Sequence, residues 1–363
     1  MARDRSIRDF DWPLLLLALT ICALGILEIY SATHDTVWKG VWLKQAAVVC
    51  LGLALMWVVA SVDYHTLIAR VPLFYGAAVA LLGLVLLIGP KKSGARRWIP
   101  LPGDSTFQVS EFVKLVIILL VARYLAEWKR EHLDLRDLAK LGVIVGLPIA
   151  LILKQPDLGT ALTFAPIVMM GVFLTGLRWR YVLVLVLAGA LALPAGWYFL
   201  RDYQKARLVS FSNPGQDPQG SGYQVIQSTI AVGSGGIWGK GVTRGTQTQL
   251  RFLPVPHTDF IFAAFAEEHG FVLVVVVLGL YFFMLMQILQ NAQTAPDRAG
   301  MYICMGVAAV LLFHIIVNVG MVVGRMPITG IPLPLMSYGG TSVLSVFMML
   351  GLVNNVRLRR FVN

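Results

Sequence analysis

The sequence predicts an all-α polytopic membrane protein of ten transmembrane helices, with a large extracytoplasmic loop between the seventh and eighth. Two observations carry that reading. Of 363 residues, 57% are hydrophobic and only 13% are charged, more apolar surface than a soluble domain needs. Apolar runs of about 20 residues, the length that crosses a bilayer core, recur along the whole chain.

In chain order the spans fall near 12–31, 41–60, 67–89, 108–126, 139–154, 158–176, 181–200, 260–287, 301–323 and 335–356. The first run is too long for a signal-peptide core and lacks a clear small-residue cleavage site, so it reads as a span. An even number of spans puts both termini on one side. If that side is the cytoplasm, the inner segments carry fifteen Lys and Arg against eight in the short outer segments, as the positive-inside rule requires. The whole chain, 1–363, then forms one transmembrane domain that includes a long outer loop, 201–259. Cys22, Cys50 and Cys304 lie inside apolar runs, where packing explains them better than a disulfide or a metal. The net charge of +11 concerns partners and orientation. Its basic residues are scattered over short loops without a stripe, so no nucleic-acid surface is expected.

Some cations lie where topology does not call for them. Lys91, Lys92, Arg96 and Arg97, with Arg201, Lys205, Arg207, Lys240, Arg244 and Arg251, fall on the outer side. They suit an anionic ligand such as a lipid-linked pyrophosphate, or they contact outer-leaflet headgroups. The outer loop is too long to be only a connector. Its 212–224 stretch is rich in turn residues, 224–232 fits a short helix, and 233–241 (GSGGIWGKG) is a flexible glycine segment. That segment is not a Walker A loop, because Ser234 and Gly241 stand where Gly and Ser or Thr are required. A single HxD, His257 and Asp259, is too little for a metal site.

The chain is organised around 251–271, RFLPVPHTDFIFAAFAEEHGF. Pro254 and Pro256 keep the approach non-helical, so Asp259 sits where an irregular loop meets a buried helix. A carboxylate there can be tuned toward a general base, or Asp259 or Thr258 can cap the helix. Glu111 and Lys114, three apart on one helical face, make an ion pair that is either structural or the wall of a polar cavity. Asp157 precedes a helix and is well placed to cap it. Glu267, about 12 Å further down a continuous helix from Asp259, is either a second cavity carboxylate or the partner of a basic neighbour. His314 reads as a hydrogen-bonded core residue. The segment 327–342, PITGIPLPLMSYGGTS, puts prolines, glycines and hydroxyls at membrane depth, which is tolerated only where protein or a wet cavity shields the backbone.

The strings GARRWI (94–99), SEFVK (110–114), KQPDLGTA (154–161), FLPVPHTDFIFA (252–263), EEHGF (267–271) and GIPLPLMSYGGTS (330–342), in this order, resemble the SEDS family of bacterial cell-wall polymerases. The GTQTQLRFLP approach (245–254) is more similar to its elongation branch, RodA, than to the division branch. The resemblance implies a ten-span fold and an inverting peptidoglycan glycosyltransferase acting on lipid II at the outer face of the inner membrane. It implies Asp259 as the essential acid and puts Glu111 and Lys114 in a cavity facing it. Arg97, Asp157, Arg207, Glu267 and Ser337 complete the residues expected at that cavity. Lys114, Arg97, Arg207 or a divalent cation, Mg or Mn, would oppose charge on the departing pyrophosphate. The implied partner is a class B penicillin-binding protein, a transpeptidase. Two departures stand out: Val109 replaces a usual proline before Ser110, and Val255 stands where an acidic residue is common. The latter counts against a metal site. The rival expectations are a lipid II flippase, which needs an inner polar entry and an internal repeat, and a non-catalytic scaffold.

Overall fold

The computed structural model describes residues 9–360 except 92–94, 102–104, 129–132, 177–179, 185–186, 188–189, 192–196, 199, 201 and 217–219. Half of the predicted seventh span, and Lys92, Arg178 and Arg201, thus lie outside the described residues. The chain is mostly helical: α1 (Trp12–Thr33), α2 (Val41–Ser61), α3 (Tyr64–Ala69), α4 (Val71–Ile88), α5 (Val109–Ala126), α6 (Leu135–Lys154), α7 (Leu158–Leu162), α8 (Phe164–Thr175), α9 (Asp202–Ser212), α10 (Ser221–Ser234), α11 (Thr246–Gln249), α12 (Ile261–Gln293), α13 (Arg298–Val322) and α14 (Gly340–Leu358).

Helix is the form that satisfies every backbone group inside one segment, which lipid demands. Seven stretches among the described residues are long and apolar enough to cross a membrane: α1, α2, α4, the α7–α8 run Leu158–Thr175, α12, α13 and α14. The α5 and α6 helices, with 18 and 20 residues, match them in length. They carry more charge, including Glu111, Lys114 and Arg123 on α5. Apolar side chains point outward on the rim, as Leu73, Leu87 and Phe173 do at 70%, 75% and 79% exposure. The α5, α13 and α14 helices form the centre, α14 packs along α2, and α12 lies between α1 and α13. Asp11, Asp63, Asp157 and Asp297 cap α1, α3, α7 and α13 with their side chains, each satisfying an end N–H.

Three features depart from the sequence expectation. A two-stranded antiparallel hairpin, β1 (Trp98–Leu101) and β2 (Ser105–Gln108), leads into α5, so the fold is not purely α. The 201–259 segment holds three helices among its described residues, α9, α10 and α11. Most important, α12 is broken at Gly270, whose φ is +72°, a conformation that favours glycine. The glycine segment patches the break. Lys240 and Gly241 N–H groups donate to the carbonyls of Glu267 and Glu268, while the Phe271 and Val272 N–H groups donate to Gly236 and Ile237. A Cβ at Gly270 would meet Gly239 N at 2.2 Å.

The break changes the depth of everything before it. Glu268 accepts from Ser31, at the end of α1, and the Asp259 carbonyl is held by Asn318, near the end of α13. Residues 261–269 therefore run between the end of α1 and the last turns of α13, buried throughout, and 271–293 alone makes the crossing. Glu267 is not 12 Å deep. At the opposite face, Asp11 accepts from Gln287 and Asn291 and pairs with Arg357 at 3.2 Å, while its N–H donates to Asn354. Both ends of the described chain thus meet on one side.

Candidate active site

Segment 327–339 follows the end of α13 and is enclosed by protein, as its prolines and glycines demanded. Tyr281 Oη donates to the Pro334 carbonyl at 2.7 Å, and Gln45 Nε2 to that of Ser337 at 3.1 Å. A Cβ on Gly25 would collide with Met336 O at 2.5 Å, so glycine alone lets this backbone approach α1.

The approach to Asp259 is clamped onto that segment. Ser337 Oγ donates to Thr258 O at 2.7 Å and accepts from Leu333 N at 2.9 Å, and Tyr338 N donates to His257 O at 2.9 Å. Asn318 Nδ2 donates to both Asp259 O and Ile331 O, at 3.0 and 2.8 Å. Arg251 and Val255, with φ of +61° and +44°, hold left-handed backbone without being glycine, strain that persists only where surroundings over-determine it.

The Asp259 carboxylate itself is spared these duties. The residue before α12 is Phe260, and no side chain caps that helix, so neither Asp259 nor Thr258 is a cap. Among the described residues the carboxylate accepts no hydrogen bond. It is half-buried, with Oδ2 3.5 Å from a Cβ built on Gly330 and Arg207 of α9 as its charged neighbour. Burial raises its pKa above the ordinary aspartate value, and Arg207 pulls it back down. Arg207 is anchored through Nη1 to Ile328 O at 3.2 Å.

A family model described as cell cycle protein, spanning FtsW, RodA and SpoVE, matches residues 11–360. The chain belongs to the FtsW/RodA/SpoVE family. It is 37% identical to the peptidoglycan glycosyltransferase MrdB of Escherichia coli K12 over 96% of this chain and 94% of that one. It is 35% identical to the peptidoglycan glycosyltransferase RodA of Treponema pallidum over 99% of this chain and all of that one. Among solved structures it is similar to a chain of a peptidoglycan synthase complex that coordinates polymerization and crosslinking. The TM-score there is 0.83 at 38% identity, covering 98% and 99% of the two chains. The rod shape determining protein RodA of Thermus thermophilus gives a TM-score of 0.73 at 32% identity, over 98% of both.

Within this family fold the other expected site residues divide. Glu111 and Lys114 form a buried pair at 2.8 Å; Glu111 also accepts from Ser345 at 3.1 Å, and Lys114 reaches His314 Nε2 at 3.2 Å. His314 Nδ1 lies 3.2 Å from Pro332 O, so a Lys114 ammonium donating to Nε2 leaves Nδ1 as the ring donor to that carbonyl. His314 and Asn318 are one turn apart on α13, which brings the Lys114 chain and Asp259 to one helix face. Arg97 is occupied with the carbonyls of Gln155 and Pro156 and lies 3.7 Å from Asp157. Asp157 caps α7 and accepts from Gln108 at 3.0 Å. Those two brace the hairpin against the 155–160 turn.

Glu267 is not a cavity carboxylate. It is fully buried and accepts from Lys240 at 2.8 Å, Gln247 N at 2.8 Å, and Thr248 N and Oγ1 at 3.1 and 3.0 Å, so it organises the outer segment around the break. Ser337 is a buried clamp, not a substrate-facing hydroxyl. Asn318 was missed, although an amide four residues after His314 in an apolar helix was the available signal. No group of three His, Cys, Asp or Glu among the described residues forms a metal set.

Proposed function

We propose that the protein is a peptidoglycan glycosyltransferase that polymerises lipid II into glycan strands at the outer face of the bacterial inner membrane, in the service of elongation. Its relatives' names support the activity. The observation that carries the residue assignment is Asp259: a half-buried carboxylate, fixed by its backbone, with no hydrogen bond to the other described residues and a cation beside it. The proposed fold is a single ten-span domain, with α5, α6 and the 181–200 segment joining the seven apolar stretches. Its termini lie in the cytoplasm, as the positive-inside bias supports.

In the reaction, Asp259 takes the proton from the acceptor GlcNAc 4-hydroxyl as that oxygen attacks the anomeric carbon of the donor MurNAc. The bond to the polyprenyl pyrophosphate breaks, its electron pair leaves with the pyrophosphate, and the single displacement inverts the anomeric centre. General-base help of this kind contributes about 10²–10⁴ in rate. Arg207, the charged neighbour of Asp259, stands best placed to oppose the charge growing on the leaving group. The donor set does not fit a resident divalent ion: among the described residues no group of three His, Cys, Asp or Glu stands at Asp259, and Val255 offers no second carboxylate. No step is routed through a metal. A class B penicillin-binding protein is the proposed partner, in keeping with the crosslinking complex that contains a similar chain.

A cavity of about 1160 Å³ at the face where the chain ends meet, lined by Leu16, Phe283, Gln287, Gln290 and Arg298 among others, is the one observation favouring a flippase. It shares no lining residue with the outer site, and most of its lining is apolar. Purified Asp259→Asn in vesicles decides between them: it should make no glycan from lipid II, and retained polymerisation would refute the base. Lipid movement, assayed separately, reports on the flippase.

A further inference from the structure

Three rings stand in a row beside the approach to Asp259, and catalysis by Asp259 and Arg207 uses none of them. Trp38, in the outer turn between α1 and α2, is 55% exposed. Its ring centre is 6.0 Å from that of His257, inclined by 37°, and His257 is 5.9 Å from Tyr338, inclined by 54°. His257 lies two residues before Asp259, and its carbonyl is tied to Tyr338 N. Trp38 is held as firmly. Its backbone N–H donates to Thr36 Oγ1 at 3.1 Å, and Arg251 Nη2 donates to Asp35 O at 3.1 Å, which pins the turn to the Asp259 approach. Burial lowers the His257 pKa, so near pH 7 the row carries no charge.

An uncharged row of partly exposed aromatic rings, outermost Trp38, suits a particular part of a glycan substrate. The pyrophosphate needs Arg207, whereas the C–H faces of a pyranose carry weak positive charge and bind against the negative face of an aromatic ring. We infer that Trp38, His257 and Tyr338 form a stacking platform for a sugar of the glycan strand, leading from the outer surface to the reacting hydroxyl. This rests on the glycosyltransferase reading and deepens it by assigning a saccharide subsite. The competing role for an exposed outer tryptophan is anchorage at the lipid headgroups. Trp238, 80% exposed on the glycine segment at the Gly270 break, is the internal control for anchorage.

The test is steady-state polymerisation of lipid II by the full-length purified chain. Trp38→Ala should raise KM on the order of tenfold with kcat changed less, the loss expected of a buried stacking contact. Trp38→Phe should recover most of it, and Trp238→Ala should leave KM unaltered. His257→Phe against His257→Ala gives a second reading should Trp38→Ala fold poorly: the ring-bearing variant keeps KM and the alanine loses it. An unchanged KM in Trp38→Ala, or equal losses in Trp38→Ala and Trp238→Ala, overturns the platform. A wild type that makes no glycan sinks the functional reading with it. A wild type that polymerises while Asp259→Asn does not, and Trp38→Ala matches wild type, sinks the platform alone.

Discussion

Asp259 is held by its main chain and left alone at its side chain, and two consequences follow at that single residue. Burial raises its pKa, while Arg207 lowers it. Removing the cation therefore moves the pKa further up, and a base acts only when ionised. Arg207→Gln should shift the acid limb of the kcat/KM profile to higher pH, beyond any uniform loss of rate; a limb that stays put or moves down would separate Arg207 from the acid. The second consequence is thermodynamic. A carboxylate whose pKa is raised on folding detracts from stability as pH climbs through that pKa. Asp259→Asn should thus unfold at a higher temperature than wild type at neutral pH while losing activity, the exchange common at functional sites. A lower melting temperature would contradict this. The sequence showed Asp259 as a candidate but left cap and base open, because only the position of α12's first turn tells which N–H groups the carboxylate can reach.

Among the elements, α12 shows where pattern reading stops. Its apolar run is continuous in the sequence, so 260–287 read as one span and Glu267 as a deep acid. The break depends on hydrogen bonds from residues some thirty positions earlier, which a local hydrophobic period does not encode. The glycine segment that resembled a phosphate loop supplies them. Gly270→Ala should destabilise the protein by about 2 kcal/mol or more, from positive φ together with a Cβ against Gly239, visible as a lower melting temperature in detergent. The capping Asp157 and the Glu111–Lys114 pair were legible because each depends on neighbours within four residues. Asn318, Gln45 and Ser337 bridge distant segments and were either missed or given another role.

Over the whole molecule, the two ends of the chain are fastened on one face by Asp11, which is fully buried between Gln287, Asn291 and Arg357. Asp11→Ala leaves the guanidinium without its carboxylate and removes the α1 cap. The expected loss is about 3 kcal/mol, read by thermal unfolding; a change within experimental error would make the fastening incidental.

The segment 327–339 is ordered by groups from Gly25, Gln45, Thr258, Tyr281 and His314, all earlier in the chain. During biosynthesis those partners have all been made when the segment emerges, whereas α14 follows it. The last helix to be synthesised is thus the one that seals the segment into the centre, like a bolt shot after the door has closed.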